Sequence, residues 1–160
     1  MKPLVYDAAD EAATARLGAA LAAVLPPGSV IALDGTLGAG KTRLVQALAQ
    51  AAGVDRRAVV SPTFVLIQEY QGPQPIYHFD AYRLHDEDEF LELGPEEYFA
   101  SSGWTVIEWA ERVANSLPRE HLQIRIYVTG ETSRRFEITG VGEKYESLVE
   151  ALRTRLPTAY

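Results

Sequence analysis

Gly35-Thr-Leu-Gly-Ala-Gly-Lys-Thr42 fits the pattern G-x-x-x-x-G-K-[ST] in full. Residues of these types at this spacing can bind phosphate. Phosphate oxygens need several backbone N–H groups converging on a small volume, and Gly35, Gly38 and Gly40 permit the tight turn and close approach. Lys41 supplies a point charge for β- and γ-phosphates, and the Thr42 hydroxyl can ligate Mg²⁺. The pattern needs a strand before it and a helix after it. Val30-Ile-Ala-Leu-Asp34 is a buried-strand run, and Lys41 to Ala52 reads as a helix whose N-terminus adds free N–H groups and a positive dipole end.

A phosphate loop alone only binds. Hydrolysis or transfer also needs an acid on the metal and a group that places the nucleophile. Asp80 ends Ile76-Tyr-His-Phe, and Glu108 ends Thr105-Val-Ile. If these strands run parallel to the loop strand, both acids reach the edge where ligands gather. Glu108 is expected on Mg²⁺, directly or through water, and Asp80 behind it or orienting the attacking water; the order of these roles stays open. Thr63, in the Ser61-Pro-Thr loop, either touches the γ-phosphate or Mg²⁺ or is a turn threonine that starts a strand. His78 shares a face with Asp80 and is either a structural or a catalytic histidine. Arg83 is expected as a surface or structural arginine, with stabilisation of phosphate charge the alternative. Trp109 is expected to pack beside a functional neighbour, and Arg134 and Arg135 to meet either phosphate or solvent.

The elements that must position these residues are legible in outline. Asp7-Ala-Ala-Asp10 offers an N-cap with an acid three residues on. Leu17, Leu21, Val24 and Leu25 follow at helical spacing, and Pro26-Pro-Gly28 stops that helix. After the loop helix, Gly53 is a C-terminal cap. Residues 64–70 and 76–79 read as strands joined by Gly72-Pro-Gln-Pro75, and residues 121–129 and 134–141 as a second hairpin. Short helical turns are expected after Asp86 and after Pro95, a strand at Trp104-Thr-Val-Ile107 and a terminal helix over 143–156. The expected fold is α/β: a single domain of the P-loop NTPase type over residues 1–160. Its mixed central sheet is flanked by helices and includes the two hairpins.

Composition narrows the class. The chain has 160 residues, no cysteine, and 15 basic against 22 acidic residues, a net charge of −7. Disulfides and thiolate metal sites are excluded. No run approaches the ~20 apolar residues that span a bilayer, and the first residues lack a signal-peptide core, so a cytoplasmic protein is expected. An acidic domain gains little from counterion release on nucleic acid, so any RNA would be held by a partner.

Four segments in order, the glycine loop, Ser61-Pro-Thr-Phe64, His78-Phe-Asp-Ala-Tyr-Arg-Leu84 and Ile107-Glu-Trp109, strongly resemble the TsaE (YjeE) family over nearly the whole chain. The resemblance implies a small ATPase acting with TsaB-like and TsaD-like proteins in making threonylcarbamoyladenosine in tRNA, with tRNA met only through those partners. TsaD carries the transfer chemistry. By position it implies ATP on Gly35, Leu37, Gly38, Ala39, Gly40, Lys41 and Thr42, with Glu11, Thr63, Trp109 and Thr132 also touching nucleotide. Mg²⁺ falls on Thr42 and Glu108, and Lys41, Asp80 and Glu108 carry the catalysis. Three residues depart from the family pattern: Thr36 stands where Asp is usual, Ala81 for a common Leu and Ala110 for a common Pro. Two other readings are a small-molecule phosphotransferase, which would need an acceptor pocket and a lid, and a nucleotide-gated binding module without useful turnover.

Overall fold

β2 (Val30–Gly35) lies in the middle of the sheet because its leading side chains are apolar on both faces: Val30, Ile31, Ala32 and Leu33 are all buried. The computed structural model describes residues 2–36, 38–55, 57, 59 and 66–157. In chain order the elements are β1 (Leu4–Ala8), α1 (Glu11–Val24), β2, α2 (Lys41–Ala51), β3 (Ile67–Tyr70), β4 (Ile76–Asp80), α3 (Glu87–Glu92), α4 (Pro95–Phe99), β5 (Trp104–Glu108), a 3₁₀ segment (Ala110–Ser116), β6 (His121–Val128), β7 (Arg134–Val141) and α5 (Glu143–Arg153). One seven-stranded sheet takes the order β1-β7-β6-β2-β5-β4-β3. β4, β5, β2 and β6 run parallel; β3 with β4, β6 with β7 and β1 with β7 are antiparallel. The mixed sheet and both hairpins are therefore as expected.

Side-chain alternation divides the core between the two faces. On one face Leu33, Val106 and Ile124 pack with Leu17 of α1, Leu44 and Leu48 of α2, and Val149 and Leu152 of α5. On the other, Ala32, Phe79 and Ile107 pack with Phe90 of α3 and Val113 of the 3₁₀ segment. Helices α1 and α2 approach closely at Gly18, where a Cβ would lie 2.6 Å from the Ala47 Cβ. α5 is tied to the head of β2, whose Val30 N–H donates to the Tyr145 hydroxyl (3.0 Å).

The structure changes several boundaries. Asp7 is not a cap. It lies in β1, a strand the sequence reading lacks, and pairs with Arg135 of β7 at 2.8 Å. The cap of α1 is Asp10, whose carboxylate accepts from the Ala13 N–H (2.9 Å). Gly53 does close α2, with φ 93°; the Gly53 N–H donates to the Gln50 carbonyl and the Val54 N–H to the Ala49 carbonyl. α5 stops at Arg153 rather than at Leu156, though Leu156 is still buried. Residues 64–65 at the head of the strand expected over 64–70 lie outside the described residues. No helix among the described residues is long and apolar enough to cross a membrane.

Candidate functional site

Parallel pairing puts the ends of β2, β4 and β5 on one edge of the sheet. Leu33 is level with Glu108, and Asp80 is level with Glu108. The ends of β1 and β6 and the start of β7 share that edge, since Ala8 and Val128 both pair with Arg134. Ligands of open α/β sheets bind beyond such an edge. A cavity of about 850 Å³ lies there. It brings together Gly38, Ala39, Gly40, Lys41, Thr42, Asp80, Glu108 and Trp109, with Glu11 and Thr132 at its far wall. The sequence reading named all of these. Gly35 lies behind the loop, and its carbonyl accepts from Lys41. Leu37 and Thr63, with the Ser61–Thr63 loop, lie outside the described residues.

The loop turns into α2 through Gly40, whose φ of 107° favours glycine. α2 has no side-chain cap at its N-terminus, so its first N–H groups face the cavity with the positive end of the helix dipole. Lys41 folds back over its own loop. Its ammonium donates to the Gly35 carbonyl (2.7 Å) and the Thr36 carbonyl (2.9 Å) and sits 4.2 Å above the Trp109 ring. Burial draws this ammonium below the ordinary lysine value, opposed by Glu108, Asp34, Asp80 and Glu111. Thr36 acts through its backbone carbonyl, so the side-chain change from the family pattern leaves that contact intact.

The acids differ in their surroundings. The Thr42 hydroxyl donates to Glu108 Oε2 at 3.3 Å. Asp80 Oδ1 accepts from the Tyr82 N–H at 2.8 Å, and burial raises the Asp80 carboxyl above the ordinary aspartate value, with Glu108 adding to the shift. The Ala81 N–H donates to the Glu108 carbonyl (3.0 Å) and pins the two strand ends together. Ala81 and Ala110 are both buried, consistent with packing positions. A hydroxyl and a carboxylate at the head of the loop helix are hard oxygen donors. They suit Mg²⁺, which keeps several waters and takes one or two protein ligands beside phosphates. Among the described residues no cluster of three His, Asp or Glu forms an all-protein metal cage, and Mg²⁺ beside a nucleotide does not require one.

Trp109 is the one non-glycine residue with positive φ (59°) among those described. Its ring packs on Tyr82, with centroids 4.9 Å apart, and under Lys41. A tryptophan held in the left-handed region stores strain of the kind found at functional sites. Glu11 is exposed and forms a two-pronged pair with Arg43. The Thr132 hydroxyl donates to the Ala9 carbonyl (3.0 Å), joining the late hairpin to the start of α1.

Two arrangements were not legible beforehand. Arg134, left open between phosphate and solvent, is the brace of the loop: its Nε donates to the Ala39 carbonyl (2.9 Å). Arg135 instead pairs with Asp7. His78 does share a face with Asp80, but it bonds Glu108 across the β4–β5 ladder. A strand pattern shows the face a residue points to. The neighbour it meets depends on register between strands about 30 residues apart.

These features define an α/β protein whose strand, glycine loop and helix open onto a polar cavity at the edge of its parallel strands. The model of the family described as "Threonylcarbamoyl adenosine biosynthesis protein TsaE" matches residues 8–136. The tRNA threonylcarbamoyladenosine biosynthesis protein TsaE of Bacillus subtilis is 42% identical over 153 residues, 95% of each chain. That of Treponema pallidum is 41% identical over 126 residues, 79% of this chain and 91% of the relative. The crystal structure of Bacillus subtilis YdiB superposes with a TM-score of 0.80 at 36% identity, covering 96% of this chain and 95% of that one. The chain belongs to the TsaE family.

Proposed function

We propose that this chain is the Mg²⁺-dependent ATP-binding and ATP-hydrolysing subunit that supports threonylcarbamoyl transfer to tRNA adenosine by a TsaB–TsaD complex. The observation that carries the reading is the convergence of Lys41, Thr42, Asp80 and Glu108 on one cavity at the N-terminus of α2. The names of the relatives place those proteins in tRNA threonylcarbamoyladenosine biosynthesis. The loop from Gly35 to Thr42 would hold the ATP phosphates. Lys41 leaves the Gly35 and Thr36 carbonyls to meet the β- and γ-oxygens, exchanging two neutral acceptors for charged ones. Thr42 and Glu108 would hold Mg²⁺, which would supply charge neutralisation on the phosphates. Asp80 faces the same space and is placed to orient water. Hydrolysis is slow alone and coupled to the partners.

Reconstitution tests this. Purified TsaB–TsaD complex, tRNA and a threonylcarbamoyl donor are combined with Mg-ATP, with and without this chain, and modified adenosine is counted. The expected result is repeated turnover with the chain alone among the additions. Lys41→Ala is expected to fail, and to lose ATP affinity by about 30–100-fold in calorimetry, the worth of its charged hydrogen bonds. Equal yields with and without the chain would remove the proposed role. Near-native ATP affinity in Lys41→Ala would remove the site.

A further inference from the structure

A line of buried polar groups runs behind the metal-side acid. His78 and Tyr70 are buried, and the Glu108 side chain is only 5% exposed. His78 Nδ1 lies 3.0 Å from the Tyr70 hydroxyl, and Nε2 meets Glu108 Oε2. That same Oε2 accepts from the Thr42 hydroxyl. The Tyr70 hydroxyl also lies 2.9 Å from Gln68 Oε1, so its single proton serves either that oxygen or His78 Nδ1. The line thus crosses β3, β4 and β5 and ends at the head of α2. Buried carboxylates need such partners, because an unpaired one is strongly destabilising. A burial requirement alone, however, would be met by any donor on any side of Glu108. Here the imidazole is wedged between a fixed hydroxyl and one chosen oxygen, so the plane of the carboxylate is set.

We propose that His78 is the positioning residue of the metal site: braced by Tyr70, it turns Glu108 so that the carboxylate and the Thr42 hydroxyl face one ion. The proposal rests on the reading of this cavity as a Mg-nucleotide site. It assigns His78 no contact with nucleotide or water. It acts through Glu108, as the outer hydrogen-bond partners of metal ligands do, whose loss typically weakens metal binding by about 10–100-fold.

The test separates orientation from packing with two amide substitutions that place their nitrogen differently, and with a metal-free ADP control that registers damage to packing. In His78→Gln the amide nitrogen can occupy the position of Nε2 and still donate to Glu108. In His78→Asn the amide reaches only toward Tyr70. Mn²⁺ stands in for Mg²⁺, and its free concentration is followed by electron paramagnetic resonance in the presence of ADP. ADP affinity in EDTA is measured in parallel. His78→Asn is expected to weaken Mn²⁺ binding about 10-fold or more while ADP affinity in EDTA changes less than about twofold. His78→Gln is expected to stay close to the wild type. Equal Mn²⁺ affinity in the wild type and His78→Asn would overturn the positioning role and leave the nucleotide site standing. A parallel loss of Mn²⁺ and metal-free ADP affinity would also overturn it, as damage to packing. Failure of the wild type to bind ADP at all would instead overturn the nucleotide reading, and this proposal with it. If His78→Asn does not fold, Tyr70→Phe carries the test: it removes the brace on Nδ1, a several-fold loss of Mn²⁺ affinity is expected, and no loss overturns the role.

Discussion

Asp34 is a buried carboxyl just before the glycine loop, on the sheet face away from α2. Its Oδ1 accepts from the Glu111 N–H (3.0 Å), and Gln123 approaches Oδ2 at 3.4 Å. Burial raises its pKa above the ordinary 3.8, partly offset by the Glu111 N–H. A folded value above the unfolded one means the folded chain holds the proton more tightly. Stability therefore falls as pH climbs from about 4 through the folded value, and is not regained above it. Asp34→Asn keeps an acceptor for the Glu111 N–H and removes the charge. Its melting temperature relative to the wild type is expected to be more favourable at pH 7 than at pH 4. Thermal melts at the two pH values check this, and a difference that does not change with pH would show that Asp34 ionises as freely as in the unfolded chain. The residue types at this edge were readable from the sequence, because a glycine loop and strand-end acids announce themselves. The ionisation of Asp34 was not, because it depends on burial beneath a segment some 75 residues further on.

At the scale of elements, the loop between β2 and α2 is held from β7. Arg134 opens that strand, and its guanidinium reaches Ala39, Gly130 and Ser133 carbonyls at once. Loop carbonyls held this way leave the N–H groups turned to the cavity. Arg134→Ala is expected to weaken ADP binding by about tenfold, the worth of one or two hydrogen bonds from a charged donor in a half-exposed setting. Arg134→Lys is expected to recover little of it, since an ammonium lacks the planar fork. Calorimetry on both variants decides it, and unchanged affinity in Arg134→Ala would leave the brace without function. Elements with strong local signals were legible: the loop and its helix, both hairpins and the α/β class follow from periodicity and glycine or proline punctuation. β1 was missed because five residues at an edge give only a weak alternation, Leu4, Tyr6 and Ala8 inward, and because Asp7 imitates a cap. Its identity as a strand is settled by pairing with β7, more than 120 residues away.

For the molecule as a whole, the net charge of −7 sets the terms of association. Phosphate backbones bind by releasing counterions from clustered Lys and Arg. The isolated chain is expected to bind tRNA weakly at physiological salt, and filter binding with labelled tRNA checks it. Tight binding by the chain alone would replace the partner-held picture with a direct one. A further consequence comes from the strained Trp109. Besides the large cavity it lines a second of about 200 Å³, formed with Asp34, Arg125 and Tyr127 on the opposite face of the sheet. The chain's only other tryptophan, Trp104, is buried and donates to the Pro26 carbonyl far from the loop. The protein thus carries a built-in optical probe of its own cavity. If nucleotide draws Lys41 off the indole, as the proposed function has it, the emission of Trp109 is expected to change while that of Trp104 stays constant. Titration with ADP should move the fluorescence of Trp104→Phe as it moves the wild type, and leave Trp109→Phe dark to the ligand.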